Sequence, residues 1–145
     1  MNILVINGPN INLLGEREPD IYGKSTYRDL VQAVSTHAKR FGHKVYLKQT
    51  NHEGSIIDLI QKYRHKIDCI IINPGAFTHY SYAIYDCLKS VPIPAIEVHL
   101  SDIHQREAFR KVSVIAPACI KQISGKGIQG YLEALDSLTK GQTTK

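Results

Sequence analysis

Glu97 and His99 stand two residues apart at the end of an apolar run, Ala95 to Val98, that reads as a strand, so both side chains point to one face. A carboxylate so placed can hold an imidazole in one tautomer, and the same spacing also suits two metal ligands. No third ligand is evident and no His-Glu-x-x-His occurs, so the sequence favours the tautomer role and no metal site. His37, His43 and His65 read as helix-surface or turn residues. A second reactive grouping lies upstream, where Arg17, Glu18 and Tyr22 sit between Gly15 and Gly23. They belong to a connection of about seventeen residues, Gly8 to Lys24, where a strand-to-helix link usually takes ~2–6. Connections this long serve as lids or binding loops, and a glycine at each end permits a hinge; a solvated loop with an ordinary tyrosine has the same composition.

Two glycine patterns imitate phosphate sites. Gly125 to Gly130 spells G-x-G-x-x-G between a candidate strand and a helix. The acidic residue expected ~20 positions later falls beyond Lys145, and no further strand–helix unit follows, so a tight turn with close helix packing is the preferred reading. Gly23-Lys24-Ser25 resembles the end of a phosphate-binding loop, but the position that requires the first glycine is Glu18, whose carboxylate would repel phosphate.

The elements that must position these groups follow from periodicity. Ile3 to Ile6, Cys69 to Ile72 and Ala95 to Val98 are apolar without alternation, as strands covered on both faces are, and Val45 to Leu47 and Cys119 to Ile123 are weaker candidates. Tyr27, Leu30, Val31, Val34, Ala38 and Phe41 form a helical stripe, opened by Thr26 with Asp29 and closed by Gly42. Further helices are predicted over Ser55 to Lys66, Thr78 to Lys89, Ile103 to Lys111 and Ile128 to Leu138. Five strand–helix units with right-handed crossovers predict an α/β, flavodoxin-like three-layer sandwich with a five-stranded parallel sheet of order 2-1-3-4-5. The whole of residues 1–139 reads as one catalytic domain, followed by a polar tail over 140–145. Ligands of such sheets bind beyond the carboxyl ends of the strands, and the unusual residues fall there: Asn7 to Asn10, Asn51 to Glu53, Asn73 to Gly75 and His99 to Ser101.

Composition narrows the class. With 145 residues, 43% hydrophobic and 21% charged, the chain can bury one core and is not compositionally disordered. No apolar run approaches the ~18 residues of a membrane span and the start lacks the pattern of a secretory signal, so a cytoplasmic protein without membrane partners is expected. The net charge of +5 is spread without a basic block, which argues against a nucleic-acid partner. Cys69, Cys87 and Cys119 lack metal or redox spacing and suit reduced thiols.

The chain closely resembles the type II 3-dehydroquinate dehydratases from Ile3 to about Leu138. The resemblance rests on Asn7-Gly8-Pro9-Asn10, Leu14 to Pro19 followed by Tyr22-Gly23, and Gln49 to Gly54. It continues through Asn73 to Ala76 with Thr78-His79, Ile96 to His99, Arg106 to Arg110, and Gly127 to Tyr131. Thr50 stands where the family pattern has Ser, and Tyr85 where Arg often precedes the aspartate. The resemblance implies dehydration of 3-dehydroquinate to 3-dehydroshikimate through an enolate, in the shikimate or quinate pathway and without a cofactor. It implies Tyr22 as the base, Arg17 as its activator, His99 as the acid to the leaving hydroxyl, and Asn10 holding a water against the enolate. The substrate carboxylate would meet Asn73 and the N–H groups of Leu100 and Ser101 ahead of the helix expected near Ile103. His79 and Arg110 would bind ring hydroxyls, and Glu97 would orient His99. Asp86 would reach an adjacent subunit's site in a homododecamer of four trimers. Arg106 would share a helix face with Arg110, as a site or an ion-pair residue. A flavodoxin-like flavin- or nucleotide-binding module without catalysis is the rival class, since fold alone would support it equally.

Overall fold

Cys69–Asn73 contains three consecutive isoleucines, all with no exposed surface, because helices cover both faces of the strand they form. The computed structural model describes residues 1–140 except Gly23 and the Tyr22 side chain, so both of these and residues 141–145 of the expected tail lie outside the described residues. In chain order the regular elements are β1 (Asn2–Asn7), α1 (Pro19–Tyr22), α2 (Tyr27–Arg40), β2 (Lys44–Gln49), α3 (Glu53–Tyr63), β3 (Cys69–Asn73), α4 (Tyr82–Ser90), β4 (Ala95–His99), β5 (Lys121–Ser124) and α5 (Gln129–Thr139). The strands form one parallel sheet in the expected order β2-β1-β3-β4-β5. Side-chain alternation divides the core in two. Ile3, Val5, Ile71 and Val98 pack under α2 and α5, whereas Leu4, Ile6, Ile70 and Ala95 pack under α3 and α4.

Helix α2 begins as its sequence demands. Thr26 accepts from the Asp29 amide, the Asp29 carboxylate accepts from the Thr26 amide, and Gly42 follows the helix with φ of 74°. The fourth crossover departs from expectation. Ile103 to Lys111 is not an α-helix but two short 3₁₀ turns, Ile103–Gln105 and Ala108–Arg110, separated by an extended Arg106. This stretch is mostly charged or polar and its large apolar Phe109 is 63% exposed, so a helix there would have no apolar stripe to bury. Leu100 and Ser101 therefore do not precede a helix N-terminus. The predicted third helix likewise splits into a 3₁₀ turn, Gly75–His79, and α4, whose N-cap Ser81 accepts from the Ile84 amide.

The G-x-G-x-x-G segment is a turn. Gly125 and Gly127 take positive φ, and a Cβ on Gly130 would press on Val98 and Ile123 at 3.3 and 3.4 Å, the close helix approach foreseen for it. The basic excess, dispersed in sequence, gathers in part in space: Lys48, Lys62 and Lys66 all lie 5.8 Å from the Tyr63 ring centre. Cys69 and Cys87 are buried and Cys119 half-buried; burial pushes the Cys69 thiol up to about 12, which keeps it protonated.

The turns after β1 and β3 touch. The Gly8 amide donates to the Asn73 carbonyl at 2.8 Å, and a Cβ on Gly8 would lie 2.5 Å from the Pro74 carbonyl oxygen. Because that obstacle is backbone, Gly8→Ala is expected to lower stability by about 1–3 kcal/mol, read as a fall in the urea midpoint. Gly54→Ala, where a Cβ meets nothing within 4 Å in α3, should be neutral or stabilising.

Candidate active site

The carboxyl ends of β1, β3 and β4 open onto a partly enclosed, mostly polar cleft. Eight of the residues singled out in the sequence line it: Asn10 and Arg17 from the first connection, Asn73 and His79 after β3, and His99, Leu100, Ser101 and Arg110 from and after β4. Arg106 lines it too. It reaches the cleft from extended backbone between two turns rather than from a shared helix face, and Glu107 faces both Arg106 Nε at 3.9 Å and Arg110 Nε at 3.0 Å. Three guanidinium groups and two imidazoles around one opening favour an anionic ligand.

Glu97 is wholly buried and receives four donors. Oε1 accepts from His99 Nε2 at 2.8 Å, from Ser113 Oγ at 2.7 Å and from Thr78 Oγ1, while Oε2 accepts from Gln122 Nε2 at 2.9 Å. Burial pushes this carboxyl up, but the hydrogen bond and charge of His99, followed by the Thr78 and Ser113 hydroxyls, hold it below the usual carboxylate range. The ionised carboxylate only accepts, so His99 Nε2 carries a proton and Nδ1 is the nitrogen left for chemistry.

A carboxylate depressed on folding contributes stability that is complete above the ordinary carboxylate range and disappears as pH falls through the depressed value. The wild-type melting temperature should therefore drop on acidification below that range. Glu97→Gln should start lower at neutral pH but show a shallower acid decline; parallel curves would remove Glu97 from the acid transition.

His79 Nδ1 donates to the Val112 carbonyl at 2.7 Å, since a carbonyl can only accept. Burial pushes this imidazole below its ordinary value against the pull of that carbonyl, and the charges of His99 and Arg110 push it the same way. Neutral His79 thus keeps Nε2 as an acceptor suited to a hydroxyl. The trans peptide between Leu100 and Ser101 aims its carbonyl at the Gly127 amide, 3.0 Å away, so the Ser101 N–H points away from that turn.

The long connection has two parts. Ile11 and Leu14, 5% and 4% exposed, anchor its first half in the core, and a 3₁₀ turn spans Ile11–Leu13. Asn10 adopts the left-handed region with φ of 70°, tolerable for asparagine, and its amide donates to Asn51 Oδ1 at 3.1 Å. From Gly15 onward the chain leaves the core. A Cβ on Gly15 would lie 3.1 Å from the Ser25 carbonyl, so the two ends of the segment meet at a neck, and α1 stands between them. Arg17 pairs with Glu18 at 3.7 Å, and Glu18 itself holds a φ of 35°. The Tyr22 side chain, the proposed base, lies outside the described residues. Asp86 is exposed on α4 and does not line the cleft. Thr78, Ser113 and Gln122 were not singled out as partners of Glu97; the one available signal was the pairing of Glu97 with Gln122 across β4 and β5. Tyr131, in α5, is fully buried and hydrogen-bonds both Asn7 and Asn73.

A model of the family described as dehydroquinase class II matches residues 1–139. The chain is 59% identical over 137 residues, 94% of each chain, to the 3-dehydroquinate dehydratase of Caldicellulosiruptor bescii. It is 54% identical over 138 residues to that of Clostridium acetobutylicum, covering 95% of this chain and 96% of the other. Its fold matches the crystal structure of the type II dehydroquinase from Butyrivibrio crossotus with a TM-score of 0.94 and 52% identity, over 95% of this chain and 97% of that one. Sequence, sheet order and near-complete coverage agree, and the chain belongs to the class II dehydroquinase family.

Proposed function

We propose that the cleft dehydrates 3-dehydroquinate to 3-dehydroshikimate, a hydro-lyase step of the shikimate pathway. The observation that carries this reading is the convergence on one cationic cleft, in a chain of this family, of eight residues to which the family resemblance gives site roles. Tyr22, assisted by Arg17, takes the proton alpha to the ketone, and the electron pair moves to the carbonyl oxygen as an enolate. Asn10 holds a water against that charge. Collapse of the enolate expels the beta hydroxyl, to which His99 delivers the Nδ1 proton while Glu97 supports the imidazolium. Asn73 with the N–H groups of Leu100 and Ser101 receives the substrate carboxylate, and His79 Nε2 and Arg110 hold ring hydroxyls. No cofactor or metal takes part in this scheme.

The purified chain should generate a conjugated enone absorbance from dehydroquinate; none under saturating substrate would refute the reading. Borohydride added with substrate should not inactivate it, because among the described residues no lysine lines the cleft to form an imine. The flavin- or nucleotide-module alternative, which rests on the fold alone, is not favoured, since family model, relatives and structural neighbours all belong to the dehydroquinases.

We further propose a homododecamer of trimers acting in the cytoplasm. Exposed Tyr80, Tyr82, Phe109 and Val112 suit an interface, whereas Tyr85 packs against the core. Exposed Asp86 would then complete a neighbour's site. No helix among the described residues is long and apolar enough to cross a membrane.

A further inference from the structure

We propose that Tyr131 is a positioning residue for this reaction: its hydroxyl locks the Asn73 carboxamide so that Asn73 presents an N–H donor, not a carbonyl, to the substrate. The inference rests on the dehydratase reading above. Asn73 Oδ1 accepts from the Gly75 amide at 3.1 Å, Asn73 Nδ2 donates to the Tyr131 hydroxyl at 2.9 Å, and that hydroxyl donates to Asn7 Oδ1 at 2.6 Å.

The direction of this chain is not arbitrary. A backbone N–H can only donate, so the group of Asn73 facing Gly75 must be its oxygen. The amide nitrogen therefore faces Tyr131, whose oxygen accepts it, and the Tyr131 hydroxyl in turn donates to Asn7 Oδ1. Burial pushes the Tyr131 phenol well up, against the weaker opposing effect of the Asn73 hydrogen bond, so the proton stays in place. Asn73 is 2% exposed and lines the cleft. With Oδ1 taken by Gly75 and one amide hydrogen by Tyr131, the second hydrogen remains for an acceptor oxygen such as a carboxylate. Asn7 and Asn73 are register partners on β1 and β3, and both lie on the sheet face under α5. One tyrosine on α5 therefore reaches both strand ends at the switch point.

Tyr131→Phe keeps the ring and removes only the lock. KM for dehydroquinate should rise roughly tenfold, the loss of one oriented hydrogen bond, with kcat changed less than about twofold, because a contact to the carboxylate is made equally in ground and transition states. In an Asn73→Ala background the same substitution should change KM no further. An unchanged KM in Tyr131→Phe, or the same factor in both backgrounds, would overturn the proposal, since general loosening of the core would not depend on Asn73.

If Tyr131→Phe does not fold, the wild-type chain decides. One Asn73 side-chain amide proton should exchange slowly with solvent, and the amide signal should shift when dehydroquinate is added; rapid exchange of both protons would refute the lock. A wild-type chain that fails to turn over dehydroquinate would sink the dehydratase reading instead, and the exchange result would still stand or fall by itself.

Discussion

Tyr22→Phe is expected to lower kcat by ~10²–10⁴-fold, the range for loss of a general base, while dehydroquinate still binds. The argument is energetic. A phenol ordinarily keeps its proton to pH ~10, so a base working near neutrality needs about 4 kcal/mol of added preference for the phenolate. A guanidinium ~4 Å away supplies about 1 kcal/mol in bulk water but about 4 kcal/mol at an effective dielectric of ~20. On the proposed mechanism Arg17 would meet the requirement only when water is excluded, which would make closure of the segment that begins at Gly15 part of the chemistry. Arg17 lines the cleft with 28% of its side chain exposed and pairs with Glu18, whose own side chain is 55% exposed. Closure would exchange that solvent-screened pair for one with the phenolate. Steady-state turnover and calorimetric binding of dehydroquinate separate the two effects in Tyr22→Phe, and a variant that still turns over at the wild-type rate would end the assignment. Arg17→Ala should displace the onset of activity to higher pH, because a phenol without its cation ionises later.

What the sequence made legible was what short-range pattern encodes. The strands β1, β3 and β4 announced themselves because both faces are covered, and α2 because its capping box and apolar stripe are local. Asn10, Asn73, His99 and Ser101 were legible as polar groups where apolar strands stop and Arg17 as part of a long connection, whereas His79 and Arg110 came only through the family resemblance. The fourth crossover was misread because Ile103 to Lys111 has helical length without an apolar face, so its conformation is set by contacts from elsewhere, such as the Asp102 side chain capping the His104 amide. The shell around Glu97 was illegible for a different reason. Thr78, Ser113 and Gln122 come from a 3₁₀ turn, a loop and β5, and neither a hydroxyl nor an amide carries a mark of the buried charge that it will serve. Tyr131 was hidden by its own usefulness to the core, since an aromatic ring at helical spacing is read as packing even when its hydroxyl joins two strand ends.

His99→Ala should cost ~10²–10⁴-fold in kcat with a smaller effect on KM, because the acid acts only when the carbon–oxygen bond breaks. The geometry narrows how the acid works. His99 Nε2 is committed to Glu97 at 2.8 Å, so in the proposed mechanism the transferable proton would be on Nδ1 and Glu97 would stabilise the imidazolium before transfer. Glu97→Gln should then give an intermediate loss. It keeps an acceptor oxygen but replaces the other with an NH₂ group among four donors, and it withdraws the negative charge facing His99. A leaving group that needs no proton separates acid catalysis from mere positioning. With the beta hydroxyl of the substrate replaced by fluoride, elimination requires the base and the enolate contacts but no acid. His99→Ala should turn over that analogue at nearly the wild-type rate, while Tyr22→Phe should lose it as completely as it loses the natural substrate. If both variants fail equally on the fluoride, the imidazole holds the ring in place rather than protonating the departing oxygen.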